Sequence, residues 1–90
     1  MKQITKSNQF KKDIKLAKKQ GKDLSELIKV VEILALGKEL PTKYKPHYLS
    51  GNWNGYLECH IKPDWLLIYQ TNNKEVILYR TGSHSNLFKK

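Results

Sequence analysis

Apolar residues recur at helical spacing near the start of the chain. Phe10, Ile14 and Ala17 lie at i, i+4 and i+7, and Ser7 before them is a residue type that caps helix N-termini well. Gly21 follows the last apolar position, and glycine commonly ends a helix because it adopts the left-handed conformation without strain. The pattern therefore predicts a first amphipathic helix between Ser7 and Gly21.

A second helical pattern begins at Asp23. Glu26 stands three residues further on, which is the spacing of a capping box, and Gly37 follows the pattern at its other end. The apolar stripe between these ends consists of Leu24, Leu27, Ile28, Val31, Leu34 and Ala35. We predict a second helix here, and the short connection to the first helix predicts a helical hairpin.

The second half of the chain carries strand patterns instead. From Tyr56 to Ile61 apolar and polar residues alternate, which is typical of a half-buried antiparallel strand. One face carries Leu57, Cys59 and Ile61, and the other carries Tyr56, Glu58 and His60. His60 is therefore predicted to point away from the core.

Two further strands are predicted after this one. Residues 65–69 are a continuous apolar run, which favours a central strand covered on both faces. Residues 75–81 return as the next strand, after a hairpin turn at Asn72 and Asn73, because asparagine tolerates positive φ.

The remaining segments complete a predicted α+β domain that spans residues 1–90. A short strand is predicted at residues 1–5, and residues 39–55, rich in proline and glycine, are predicted to form a surface loop that carries His47 and Trp53. The order β-α-α-β-β-β indicates a helical hairpin packed on an antiparallel sheet.

The net charge of the chain indicates which classes of partner it binds. Lys and Arg number 17 against 8 Asp and Glu, a formal net charge of +9. Residues 1–45 hold 12 Lys and 5 acidic residues (+7), whereas residues 46–90 hold 4 Lys, 1 Arg and 3 acidic residues (+2). This balance favours a polyanionic partner, because each neutralised phosphate releases counterions and charge steers the encounter. Charge alone does not separate DNA, RNA, a membrane surface or an acidic protein.

The composition excludes several classes of site. With one cysteine, Cys59, the chain forms no intramolecular disulfide and no cysteine-based zinc site. The spacings of His47, His60 and His84 fit no helical metal motif, so no metal or other cofactor is predicted. No signal segment and no run of ~18 apolar residues is present, so we expect a cytoplasmic protein without a membrane span.

The remaining chemical candidates lie in the last third of the chain. His60 and Asp64 flank a turn, where Asp64 either fixes the tautomer of His60 or serves the turn alone. Arg80, the one arginine, suits a phosphate whose charge grows in a transition state, or is a surface residue at a strand end. His84 lies in a flexible polar segment, and Phe88 either stacks on a base or pins the chain end to the core.

These candidates fall in blocks that resemble a known family. The blocks are His47 to Trp53, Gly55-Tyr56, His60 to Trp65 with Leu67 to Tyr69, and Arg80 to His84 with Leu87-Phe88, in that order. They resemble the YafQ branch of the RelE/ParE superfamily of type II toxin–antitoxin toxins. The resemblance implies a RelE-like, microbial-ribonuclease-like α+β fold.

The resemblance also implies a set of site residues. The catalytic residues would be His47, His60, Asp64, Arg80 and His84, and the substrate-binding residues would be Trp65 and Phe88. One position departs from the family. YafQ-like chains often carry a basic residue just after the Gly-aromatic pair, where this chain has Leu57, which puts one phosphate contact in doubt.

The function that the resemblance implies is a metal-independent endoribonuclease that cuts messenger RNA (mRNA) in the ribosomal A site. The ribose 2′-hydroxyl attacks the adjacent phosphorus, so the protein supplies a base, an acid and a cation. His60, oriented by Asp64, or else His47, would be the base, His84 the acid and Arg80 the cation, and the acid and base assignments are exchangeable.

The family also implies a protein partner and leaves two competing functions. Each toxin is paired with a cognate antitoxin that is usually acidic where it binds the toxin. The competing functions are a ParE-like gyrase-inhibiting toxin and a non-catalytic basic RNA-binding module. The three histidines argue against a gyrase inhibitor, because that role gives them no use.

Overall fold

The computed structural model describes residues 1–88, which form a five-stranded sheet and three α-helices. The strands are β1 (Gln3–Lys6), β2 (His47–Tyr48), β3 (Leu57–Lys62), β4 (Trp65–Thr71) and β5 (Glu75–Gly82), and the helices are α1 (Asn8–Lys19), α2 (Ser25–Ala35) and α3 (His84–Leu87). Residues 89 and 90, the last two of the predicted domain, lie outside the described residues. No helix within residues 1–88 has the length and apolar character needed to cross a membrane.

The strands lie in the order β1-β5-β4-β3-β2, so β4 is central. The pairs β2–β3, β3–β4 and β4–β5 are antiparallel, whereas β1 runs parallel to β5. A parallel neighbour needs a crossover connection, and α1 and α2 lie in the long segment that follows β1. The predicted α+β class, with helices on a mainly antiparallel sheet, is confirmed.

The core lies on both faces of β4. The larger cluster packs α1 and α2 against one face of the sheet and includes Phe10, Leu27, Val30, Leu34, Cys59, Ile61, Trp65, Leu67, Tyr69, Val76 and Leu78. The smaller cluster, on the opposite face, contains Leu66, Ile68 and Leu87. The prediction of a central strand covered on both faces is therefore confirmed, and the second cluster fastens α3 to the sheet.

The N-terminus of α1 follows the sequence prediction, and that of α2 does not. Ser7 caps α1 by accepting a hydrogen bond from the Phe10 amide. The helix α2 begins at Ser25 without a side-chain cap, and Asp23 accepts a hydrogen bond from the Ser25 amide ahead of the helix. The predicted capping box is wrong, because Glu26 accepts a hydrogen bond from Tyr44 instead. This bond, together with burial, raises the pKa of Tyr44 to about 12.

The two predicted loop segments also differ from expectation. The turn at Asn72 forms because its side-chain oxygen accepts hydrogen bonds from the Lys74 and Glu75 amides, and not because its φ is positive. Within residues 1–88 the one non-glycine residue with positive φ is Lys45. The predicted loop over residues 39–55 contains β2, a strand of two residues that is too short to show a period.

Candidate active site

Four aromatic rings form a continuous row on the sheet face opposite α1 and α2. His47 lies on β2, His60 on β3, and His84 and Phe88 lie at the two ends of α3. The ring centroids are 6.2 Å apart for His47 and His60, 5.9 Å for His60 and His84, and 6.4 Å for His84 and Phe88. The structure therefore brings together four of the residues predicted from the sequence, three of which are histidines.

His84 is held by Asp64. Its Nδ1 lies 3.0 Å from Asp64 Oδ1, and its backbone amide donates a hydrogen bond of 3.2 Å to the same oxygen. These two hydrogen bonds lower the pKa of Asp64. The carboxylate thereby orients the ring, while His84 Nε2 makes no hydrogen bond within residues 1–88. The expectation that Asp64 orients His60 is wrong, because α3 places His84 beside the turn.

The carboxylate beside His60 is Glu58, which the sequence interpretation did not include among the site residues. Its side chain is buried, and its Oε1 lies 3.1 Å from His47 Nε2 and 3.7 Å from His60 Nε2. The register explains both contacts, because His47 pairs with Glu58 across β2 and β3, and His60 follows on the same face. The sequence contained a pattern that could have identified Glu58, because the alternation of apolar and polar residues placed Glu58 and His60 on one face of the strand.

Arg80 reaches this face of the sheet through a bulge in β5. Between β5 and β4, Leu78 pairs with Tyr69 and Arg80 pairs with Ile68, so Tyr79 has no pairing partner on β4. The extra residue changes the face on which the following side chains lie. Leu78 therefore packs in the helix-side core, whereas Arg80 lies opposite Ile68, whose side chain belongs to the smaller cluster on the histidine face.

Asp13, on α1, holds the guanidinium of Arg80, and sequence reasoning did not identify it. Arg80 donates from Nε to Asp13 Oδ2 at 2.8 Å and from Nη2 to Oδ1 at 3.2 Å, and the Thr81 amide donates to Oδ2 at 3.1 Å. Arg80 makes no hydrogen bond to a histidine within residues 1–88, and its Nη1 makes none at all there. The single arginine is thus neither a free surface residue nor in contact with the histidine row.

The other predicted contacts have different places in the fold. Trp65 is only 4% exposed, and its indole donates a hydrogen bond to Thr81, so it supports the sheet from the core and is not open to a substrate. Phe88 packs partly against the smaller cluster while it contacts His84, which is compatible with both roles considered for it. Leu57 packs against the helix-side core, away from the histidines. Its departure from the family pattern therefore removes no contact from the histidine row.

The arrangement supports proton transfer beside a phosphate. Two rings contact one buried carboxylate, a third ring is backed by Asp64, and Arg80 supplies a planar cation from the end of β5. Among residues 1–88 no group of three or more His, Cys, Asp or Glu side chains is arranged to hold a metal ion. Imidazole, carboxylate and guanidinium are the group types that acid–base cleavage of a phosphodiester uses.

Comparison with known proteins identifies the family to which this chain is similar. A family described as the bacterial toxin of a type II toxin–antitoxin system, YafQ, matches residues 2–89. A curated relative, the mRNA interferase toxin YafQ of Escherichia coli strain K12, is 43% identical over 83 residues, which cover 91% of this chain and 90% of the relative.

Solved structures of similar proteins have the same fold. The toxin in the crystal structure of the E. coli DinJ-YafQ toxin–antitoxin complex is 42% identical, with a TM-score of 0.89 and coverage of 97% of each chain. A metal-bound toxin from Helicobacter pylori is 47% identical, with a TM-score of 0.90 and coverage of 98% of this chain and all of that one.

Proposed function

This chain belongs to the YafQ family of bacterial type II toxins, and from that premise we propose that it is an mRNA interferase, a metal-independent endoribonuclease that acts as one domain over residues 1–90. The observation that carries the proposal is the row of His47, His60 and His84 on one sheet face, with carboxylates beside the rings. A gyrase inhibitor or a simple RNA-binding module has no need of such a row.

The reaction starts at the ribose of the RNA itself. The base, His60 or His47, takes the proton of the 2′-hydroxyl as its oxygen attacks the adjacent phosphorus. The bond from phosphorus to the 5′-oxygen of the next nucleotide then breaks, which leaves a 2′,3′-cyclic phosphate. His84 gives its Nε2 proton to the departing oxygen, because Asp64 holds the ring through Nδ1 and leaves Nε2 for the substrate.

Arg80 and Phe88 act on the charge and position of the substrate. The phosphorane gains negative charge as it forms, and the guanidinium of Arg80 stabilises it through Nη1, the nitrogen that Asp13 leaves unused. Phe88, beside His84, stacks on or positions the nucleotide at the cleavage point. Trp65 keeps the end of β5 in place from the core through its bond to Thr81.

The substrate is mRNA in the ribosomal A site, and the cytoplasm is where the protein works. The net charge of +9 supports binding to the ribosome and the message. The protein partner is a cognate antitoxin whose toxin-binding part is acidic, in keeping with that charge. The similar E. coli toxin was solved together with DinJ.

The proposal is tested by mapping mRNA 5′ ends after purified protein is added to translating ribosomes and, separately, to the same mRNA without ribosomes. The wild type should cleave only in the presence of ribosomes. His84→Ala should cleave about 10²- to 10⁴-fold more slowly, the usual contribution of a general acid, while the neighbouring variant Ser85→Ala should cleave normally. A folded His84→Ala variant with full activity would contradict the acid role, and absence of cleavage by the wild type would contradict the proposed function.

A further inference from the structure

Asp13 is the one acidic residue of α1, and it lies on the buried face of the helix. Its neighbours on that face are Phe10 and Ala17. A buried carboxylate is tolerated when it is paired and hydrogen-bonded. The helix carries five lysines, at positions 11, 12, 15, 18 and 19. Within residues 1–88, however, the ion pair of Asp13 is with Arg80, 67 residues away in the chain. The fold thus pairs the single acidic residue of α1 with the single arginine of the protein.

The Asp13 carboxylate binds one edge of the guanidinium. Arg80 Nε and Nη2 donate to its two oxygens at 2.8 and 3.2 Å, which is a bidentate arrangement. A guanidinium has five N–H donors in one plane, so two donors remain on Nη1 and one on Nη2. One donor from each of these two nitrogens forms a second fork, which matches two oxygens of a phosphate. Within the described residues no acceptor binds this second fork, and 23% of the Arg80 side chain is exposed.

Asp13 is itself held from the sheet and from its own helix. The buried Thr81 amide donates to Oδ2 at 3.1 Å, and Gln9 Nε2, one turn earlier on α1, lies 3.4 Å from Oδ1. The hydroxyl of Thr81 in turn donates to the carbonyl oxygen of Leu66 on β4 at 2.7 Å. The plane of the Arg80 guanidinium is therefore fixed relative to both α1 and the central strand.

We propose that Asp13 is a positioning residue that binds one fork of Arg80 and so presents the second fork to the phosphorane oxygens. The inference rests on the proposed function, in which Arg80 stabilises the charge of the phosphorane, and it names the group that aims the guanidinium. A donor stabilises a transition state best when it already points at the atoms that gain charge. Without Asp13 the long Arg80 side chain samples other rotamers, and a displacement of about 1 Å is enough to cost about 10²-fold in rate.

The first test needs no substrate. Because Arg80 is the only arginine, the free protein has one arginine Nε–H signal in a ¹H–¹⁵N spectrum. In the wild type the hydrogen bond to Asp13 should protect this proton from exchange with water. In Asp13→Asn, which keeps the shape and removes the charge, the signal should shift and the proton should exchange about tenfold faster. Glu32→Gln removes a carboxylate from the neighbouring helix α2 and is the matched control, which should leave the signal unchanged.

The second test measures kcat and KM of ribosome-dependent cleavage at a temperature where each variant is folded. Asp13→Asn should lower kcat about tenfold or more, a part of the 10²–10³-fold that a transition-state donor contributes. KM should change little, because binding rests on 17 Lys and Arg residues. In an Arg80→Ala background Asp13→Asn should cause no further loss, because no guanidinium is left to aim. Val30→Ala, a fully buried core change on α2, controls for lost stability and should keep the wild-type kcat.

The outcomes separate this inference from the proposed function. If the wild type does not cleave, the proposed function fails, while the NMR comparison still tests the hold of Asp13 on Arg80. An unchanged Nε–H signal or full kcat in Asp13→Asn would show that the inference is wrong. An equal loss of kcat in the Arg80→Ala background would also overturn it, because the loss would then not depend on Arg80. If Asp13→Asn does not fold, Asp13→Glu keeps the charge but displaces the carboxylate, so it should also lower kcat, and full kcat in this variant would contradict the inference.

Discussion

Replacing Asp13 with asparagine removes the negative charge that holds Arg80. The carboxylate is buried, with 8% of its side chain exposed, and it accepts hydrogen bonds from Arg80 Nε, Arg80 Nη2 and the Thr81 amide. Asparagine has nearly the same size and retains one acceptor oxygen. The variant therefore changes the charge and one of these bonds while the helix α1 keeps its packing.

The expected change in the free energy of unfolding follows from the exposure of the Asp13 and Arg80 side chains. A hydrogen bond to a charged group contributes about 1.5–3 kcal/mol to stability. Because Arg80 is partly solvated, we expect Asp13→Asn to lower the free energy of unfolding by an amount near the lower end of this range, about 2 kcal/mol. The side chain of Arg80 is 23% exposed. In a domain of this length 1 kcal/mol moves the unfolding temperature by about 4–8 °C, so a decrease of about 8–16 °C is expected.

Thermal unfolding followed by circular dichroism measures this change, and a double-mutant cycle assigns it. Asp13→Asn and Arg80→Gln should each be destabilising, and together they should be less so than the sum, with a coupling of about 1 kcal/mol or more. Asp64→Asn is the matched control. Because 71% of the Asp64 side chain is exposed, the unfolding temperature of this variant should differ little from that of the wild type. A coupling within about 0.5 kcal/mol of zero would refute the view that Asp13 holds Arg80.

Three further outcomes are expected. Arg80→Lys keeps the charge without the planar fork, so it should cleave RNA more slowly while its binding to ribosomes is unchanged, and Arg80→Ala should lose about 10²- to 10³-fold in cleavage rate. Single-turnover cleavage measures the rate, and co-sedimentation measures ribosome binding. Full activity in Arg80→Ala would show that Arg80 is not part of the active site. Cleavage should survive EDTA followed by restored magnesium for the ribosomes and leave cyclic or 2′/3′-phosphate ends, whereas 3′-hydroxyl ends would indicate metal-assisted hydrolysis. Burial raises the pKa of the Cys59 thiol to about 12. At pH 8 Cys59 should therefore react with thiol reagents only as fast as the protein unfolds. Rapid labelling of the native protein would contradict the burial of Cys59.

Local periodicity was sufficient to predict β3 and β4, but not the two-residue strand β2 that carries His47. The alternation over residues 56–61 placed His60 and Glu58 on the face away from the helices, and the apolar run from Trp65 identified the central strand. Period and composition determine these features because a strand with one buried face must send every second side chain into the core. The first helix and its cap at Ser7 were determined in the same way.

The pairing of charged side chains was decided by the tertiary structure. Alternation counted from Leu78 would put Arg80 in the helix-side core, and only the bulge at Tyr79 moves it to the other face. Asp13 lies 67 residues from Arg80, and Asp64 lies 20 residues from His84, so neither contact has a local signature in the sequence.

The physical reason is the difference between burying a face and pairing two atoms. Burial of apolar surface is not directional, so a repeating pattern along one segment is enough to predict it. A hydrogen bond requires two groups within about 3 Å at a suitable angle, and for segments far apart in the chain that distance depends on register, bulges and helix packing. The sequence by itself therefore determined which residues of β3 face the site, and the tertiary structure decided the face on which Arg80 lies and which carboxylate serves which histidine.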